Sequence, residues 1–230
     1  MKNIRINFVD SKTETEKTVE VTGEYVFTHI FARLLPNNDY PVTALAGDGL
    51  YLVYFLDLRD CGYNGDIPLP GHVVYDAFED EDKSIISMFL QMSALNYMRT
   101  KKTVLLPLTD IANACGDMTK FADDEWRVLK TPSEFGMDMY LFASNDIDTP
   151  ALLLDPITDK KIRMLEPFKN GYYIVPSSIH EVLLVPITKT ADPEALRSCT
   201  KTVNSTVVAP NEILGDHIYK LGDHGYEIVV

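Results

Sequence analysis

Tight-turn signals set between short apolar runs are the feature that most limits what this chain can fold into. Residues 4–9 and 18–21 alternate apolar and polar side chains about a polar turn, and residues 42–46 and 50–57 flank Gly47-Asp48-Gly49. Residues 172–175 and 182–187 enclose Pro176-Ser177-Ser178-Ile179-His180, and residues 217–221 and 226–230 enclose Gly222-Asp223-His224-Gly225. Connections this short pair neighbouring strands antiparallel, because a parallel partner needs a crossover of a dozen residues or more. Further short strands are expected at 103–106 and 140–143.

Helical spacing appears between these hairpins. Thr22 precedes Val26, Phe27, Ile30, Phe31, Leu34 and Leu35, which fall on one helical face until Pro36 ends the run. Residues 83–99 read as a long helix with Ile85, Ile86, Phe89, Leu90 and Met92 as its inner face. Thr109 opens a brief helix stopped by Gly116, and 117–130 reads as another. Asp155-Pro156 and Asp192-Pro193 each place a capping aspartate before a proline at the first helical position, opening helices that end near 165 and 204. Hairpins joined by helices without regular βα alternation predict an α+β fold with a mostly antiparallel sheet. With 230 residues and 46% hydrophobic content, the chain can bury one substantial core. It is expected to form an N-terminal lobe (1–100) and a C-terminal lobe (101–230) within one unit.

Charge narrows the partners. The net charge of −13 repels a phosphate backbone, so direct nucleic-acid binding is not expected. The most apolar run, 50–56, is long enough only for a buried strand, so no membrane span is expected. The opening residues MKNIRINFVD lack the apolar core of an export signal. Three widely spaced cysteines, Cys61, Cys115 and Cys199, fit free thiols in a reducing cytoplasm better than a disulfide framework.

Acidity is also concentrated locally. Asp57, Asp60, Asp66, Asp76, Glu79, Asp80, Glu81 and Asp82 face only Arg59 within one stretch, and Tyr63 and Tyr75 lie among them. Carboxylates on a surface can imitate a phosphate row and occupy the basic groove of a nucleic-acid-binding protein, and tyrosine is enriched at interfaces. The expectation is a non-catalytic interaction protein with a macromolecular protein partner; one form would be a phage or mobile-element inhibitor of a nucleic-acid-processing complex. The plainer reading of the same residues is a solubilising face.

Catalytic signals are sparse. Ser177, Ser178 and His180 share one turn, and a hydroxyl beside an imidazole with a third orienting group, Glu181 or Asp216, is the pattern of a hydrolase. No G-x-S-x-G elbow accompanies them, and serine in a turn usually serves backbone groups. Gly215-Asp216-His217 and Gly222-Asp223-His224 repeat metal-ligand types, but roughly 20 Å of strand would separate the two sets. Asp123-Asp124-Glu125 and Asp146-Ile147-Asp148 are oxygen-rich without an EF-hand ladder. No phosphate-binding loop, G-x-G-x-x-G or H-E-x-x-H occurs, so neither cofactor nor metal is expected. A structural subunit of a larger assembly is a third reading, recognisable by an exposed apolar patch or an unpaired strand edge.

The blocks VPSSIHEVLLVP (175–186) and VNSTVVAPNEILGDHIY (203–219), with a helix opened by Asp192-Pro193-Glu194-Ala195-Leu196, carry a resemblance. They resemble an uncharacterised family from low-GC Gram-positive gut bacteria whose members bear LPSSIHEV, D-P-E-E-L, V-N-x-T-x-V-x-P-E-E and L-S-D-H-V-Y. The similarity extends over about 103–219, including VLLPLTDIANACGD and MYLFASN. It implies a bacterial or phage source and supports the C-terminal boundaries; it implies no reaction.

Overall fold

A computed structural model describes every residue except 1, 2, 11, 12, 64, 78–81, 123, 124 and 130–136, with the side chains of 75–77 also left aside. The chain opens with the hairpin β1 (Asn3–Asp10) and β2 (Thr15–Thr22), followed by α1 (Gly23–His29) and β3 (Ile30–Leu35). Next come β4 (Thr43–Gly47), β5 (Leu50–Asp57), β6 (Asp66–Pro68), α2 (Gly71–Ala77) and the long α3 (Lys83–Arg99). The second half holds β7 (Val104–Pro107), α4 (Leu108–Asn113), β8 (Tyr140–Ala143), α5 (Pro156–Arg163), β9 (Tyr172–Pro176) and β10 (Val182–Pro186). It ends with α6 (Pro193–Thr206), β11 (Tyr219–Gly222) and β12 (Gly225–Ile228).

β1 and β2 form their own ribbon. The other ten strands form one sheet in the order β3-β5-β4-β12-β11-β9-β10-β8-β7, with β6 also paired to β5. Every named pair in it is antiparallel except β12 with β4. The chain is therefore an α+β protein with a mostly antiparallel sheet, and the residues expected in two lobes share that sheet. Their strands meet where Tyr226 lies opposite Gly47. Gly47 has φ +139° and Gly225 φ +102°; a Cβ at either would stand 2.0 Å from the Tyr226 carbonyl oxygen or 2.1 Å from that of Ala46. Only glycine lets the two backbones approach this closely. Asp48 completes the seam, its N–H donating to the Tyr226 carbonyl (2.9 Å) and its Oδ2 accepting from the Ile228 N–H (3.0 Å).

The core lies between the sheet and its helices. β5 is buried over nearly its whole length, and α3 packs across β3 with Ile86, Leu90, Ala94, Leu95 and Met98 inward. Thr22 caps α1 as its sequence suggests, its hydroxyl accepting from the Tyr25 N–H at 3.1 Å. The helix then stops seven residues in, although the apolar spacing predicts that it continues to Leu35. Residues Ile30–Leu35 instead pair in register with β5 and are buried on both faces. A run apolar at successive positions satisfies either a helical face or a doubly covered strand, and here the ladder to β5 decides.

A second departure follows α4. Residues 117–130 do not form the expected helix among the described positions. A 3₁₀ turn at Met118–Lys120 gives way to extended chain, where Trp126 bridges Leu105 in parallel and Arg127 N–H donates to Leu105 O at 2.8 Å. This segment covers the outer edge of β7. Trp126 contributes its indole N–H to the Thr103 carbonyl (3.1 Å) and packs edge-on against Phe142. No helix of the described residues is long and apolar enough to cross a membrane.

Candidate functional site

Arg33 is the lone charge within the apolar strand Ile30–Leu35, and the sheet solves its burial by surrounding it with carboxylates. Its guanidinium packs over Phe55 and Phe31, 4.3 and 5.4 Å from the ring centroids. Nη1 and Nη2 donate to the two oxygens of Asp66 at 3.1 and 3.2 Å, while Nε donates to Asp148 Oδ2. The second oxygen of Asp148 meets His180 Nδ1 at 2.5 Å. An ionised carboxylate only accepts, so Nδ1 carries the ring proton at this contact and Nε2 is the nitrogen left over. Nε2 stands 3.9 Å from Glu212 Oε1, beyond direct hydrogen-bond range. The chain Asp66–Arg33–Asp148–His180 thus fixes an imidazole from behind.

The turn that carries His180 is held at the backbone. Ser178 Oγ accepts from the N–H groups of His180 (3.1 Å) and Glu181 (3.4 Å). Ile179 N–H donates to Glu212 O, and Thr149 N–H to His180 O, both at 2.9 Å. In front of the ring opens a cleft of about 390 Å³ whose walls include Phe31, Arg33, Arg59, Asp66, Tyr97 and Asp148.

Asp57 anchors the neighbouring wall. Its carboxylate accepts from the Arg59 backbone N–H (3.0 Å), from the Arg59 guanidinium and from the Tyr97 hydroxyl. Burial by itself would raise this carboxyl, but the hydrogen bonds from Arg59 and Tyr97 prevail and bring it down to about 2. Burial and the adjacent Asp57 charge push the Tyr97 hydroxyl up. At Asp66 the balance is reversed: burial, reinforced by the charges of Asp148 and Asp57, outweighs Arg33 and raises the carboxyl.

These contacts redistribute the residues singled out by sequence. Asp57 is 4% exposed and therefore does not belong to an acidic outer face; Arg59, its neighbour two residues on, folds over it. Asp66 is half-buried and neutralised by Arg33. Asp60 is exposed and meets His29 Nε2 at 3.1 Å, and Asp82 is exposed and caps α3 through the Ser84 N–H at 2.8 Å. Glu79, Asp80 and Glu81 lie outside the described residues, as do the side chains of Tyr75 and Asp76 and all of Asp123 and Asp124. The described part of the acidic stretch is thus a set of separate ion pairs and caps.

The serine candidates separate from the histidine's ring. Ser178 is buried with its hydroxyl given to backbone N–H groups, and Ser177 is half-buried with no side-chain hydrogen bond to a described residue. In the tail, Asp216 accepts from Asn204 Nδ2 at 2.8 Å and His217 Nδ1 meets the Val230 carbonyl at 3.2 Å. Among the described residues no group of three or more His, Cys, Asp or Glu side chains is placed to hold a metal ion. The residue missed in sequence as a partner for His180 is Asp148. The available signal was Arg33: one charge in a strand apolar on both faces demands a buried counter-ion.

The second notable feature is the outer side of α3. The sequence assigns Ile85, Phe89 and Met92 to the inner face, but the helix turns them to solvent together with Met88. Their exposures are 39%, 47%, 52% and 52% for Ile85, Phe89, Met92 and Met88. They follow the spacing i, i+3, i+4, i+7, the pattern of a helix face that packs against something. Opposite them lies the buried row from Ile86 to Met98. Other exposed large apolar side chains, such as Leu45, Ile157, Met164 and Val207, stand singly or in pairs.

A model described as a family of unknown function, DUF5688, matches residues 88–221, more than half of the chain. The chain belongs to the DUF5688 family. No curated protein and no solved structure matches it. The DUF5688 span contains Tyr97, Asp148, His180 and Glu212, whereas Arg33, Arg59 and Asp66 come from the preceding segment. The charged cleft is therefore built jointly by the DUF5688 region and the residues before it.

Proposed function

We propose that this DUF5688 protein is an interaction protein that docks a protein partner along the outer face of α3. The observation that carries the reading is the row Ile85, Met88 and Met92, three large apolar side chains at i, i+3 and i+7 on the solvent side of a helix already buried on its other side. A helix apolar on two opposite faces has two packing partners, and the sheet supplies one of them. Methionine suits such a surface, because its flexible thioether adapts to the shape it meets. Full burial of each of these side chains would contribute about 1.5–3 kcal/mol.

Charge defines the partner further. The run Glu79-Asp80-Glu81-Asp82 immediately precedes α3 in sequence, and Asp82 is exposed at its first turn. An acid-led apolar helix fits an apolar groove with a basic rim, the mode in which a groove reads i, i+3, i+4, i+7 anchors. Basic rims are common on nucleic-acid-binding proteins, which keeps an inhibitor of a nucleic-acid-processing complex as the favoured biological form. A second copy of this chain fits less well, because each copy carries a net charge of −13.

Paired affinity captures with the wild type and Met88→Glu/Met92→Glu test the reading. The double variant is expected to keep its melting temperature and to lose a protein retained by the wild type. That retention is expected to fall between 0.1 and 0.5 M salt, as the basic rim requires. Identical sets of captured proteins from the two baits would refute the docking role of α3.

A further inference from the structure

The geometry points to the Asp148–His180 pair as an acid–base centre that hydrolyses small uncharged carboxylic esters, with water as the nucleophile. This site lies away from the α3 ridge and stands independently of the docking reading. Three observations carry it. Asp148 is 6% exposed and engages His180 Nδ1 at 2.5 Å, so the ring orientation and tautomer are fixed. Arg33 Nε holds the other Asp148 oxygen and is itself clamped by both oxygens of Asp66, so the carboxylate cannot swing away. The ring is half-exposed and borders a cleft of about 390 Å³, with Nε2 free of any direct hydrogen bond among the described residues. A base oriented by a buried carboxylate, with its other nitrogen open to a cavity, is the arrangement that proton abstraction needs.

The surroundings select the substrate. Asp66, Asp146 and Asp148 outnumber Arg33 and Arg59 among the residues that line the cleft, a balance that disfavours anionic substrates such as phosphoesters. Arg59 has a half-exposed side chain that binds Asp57 through Nε and Nη2 beside the Tyr97 hydroxyl, and its guanidinium lines the cleft as a donor for a carbonyl oxygen that gains charge. With Ser178 committed to the backbone, water is the nucleophile. His180 Nε2 takes a proton from water as the water oxygen bonds to the acyl carbon. Collapse of the adduct breaks the bond to the alcohol oxygen, which takes that proton back from the imidazolium. Products are a carboxylic acid and an alcohol, and nothing is oxidised or reduced.

The competing role for His180 is a purely structural imidazolium between Asp148 and Glu212. The two roles predict opposite reactivity, and the five histidines of the chain supply internal controls. Brief treatment of the full chain with diethyl pyrocarbonate at pH 7, read by peptide mass spectrometry, is expected to modify His180 at least fivefold faster than the exposed His224. Asp148→Asn, a change in the positioning residue, is expected to slow His180 modification and leave His224 unchanged. With p-nitrophenyl acetate as the probe ester, His180→Gln is expected to lower kcat/KM at least tenfold, the low end of general-base contributions being about a hundredfold. The proposal is overturned if His180 reacts no faster than His224, or if wild type and His180→Gln turn over the ester equally.

Discussion

Asp57 illustrates how one carboxylate can be mistaken for surface and prove to be a structural anchor. It is deeply buried, and it accepts from Arg59 and Tyr97 while its own carbonyl receives the Tyr25 hydroxyl at 2.9 Å. Its folded carboxyl titrates at about 2, below the ordinary value of 3.8. The stabilisation it gives is therefore complete above about pH 4 and is lost as pH falls through 2, amounting to about 1–2 kcal/mol. Asp57→Asn is expected to cost about 2 kcal/mol at pH 7, because it leaves Arg59 without its charge partner. The same variant should flatten the loss of stability between pH 4 and pH 2, as measured by urea unfolding at each pH. Tyr54 is the converse case: its ring is buried, burial pushes its hydroxyl up, and the hydroxyl has no hydrogen-bond partner among the described residues. Tyr54→Phe should leave the melting temperature unchanged or raise it by up to a few degrees, since an unpaired buried hydroxyl costs about 1–3 kcal/mol. At this scale the sequence offered His180 as a candidate but not its contact with Asp148, because Asp148 and Arg33 reach it only through pairings 32 and 115 residues long in the chain.

Among the elements, those bounded by clear turns or opened by an Asp-Pro cap were readable, and apolar runs that fit two structures were not. The Gly47-Asp48-Gly49 and Gly222–Gly225 turns announced their hairpins because few residues other than glycine take the backbone angles required. Strand β3 was hidden in an apolar run that fits a helix equally well until β5 is placed beside it. The inner face of α3 was over-assigned for a related reason: with apolar side chains on both sides, periodicity alone cannot say which row faces the sheet. Gly47 and Gly225 carry a consequence at the seam between β4 and β12. Gly47→Ala is expected to destabilise the protein by about 3 kcal/mol or more through collision with the Tyr226 backbone. Gly49→Ala, at φ +68° with open space about its Cβ position, should cost only about 1 kcal/mol. Thermal unfolding followed by circular dichroism separates the two.

Over the whole molecule, one sheet carries both the segment before residue 88 and the DUF5688 span, and it joins them at β4 and β12. That continuity explains why a charged cleft can draw Arg33 from one part and Asp148 and His180 from the other. It also leaves α3, whose residues straddle the start of the family match, lying over β3 with its second apolar row outward. The antiparallel α+β class followed from short connections and was open to sequence reasoning; the outward ridge was not, because facing is a property of the assembled sheet and helix. The claim that this ridge is where a partner sits is tested most directly by a photo-crosslinking amino acid at position 88, with position 201 on the exposed side of α6 as the control. The account predicts a discrete adduct between the chain and another protein from position 88 and none from position 201. Absence of an adduct at 88, or equal adducts at both positions, would contradict it.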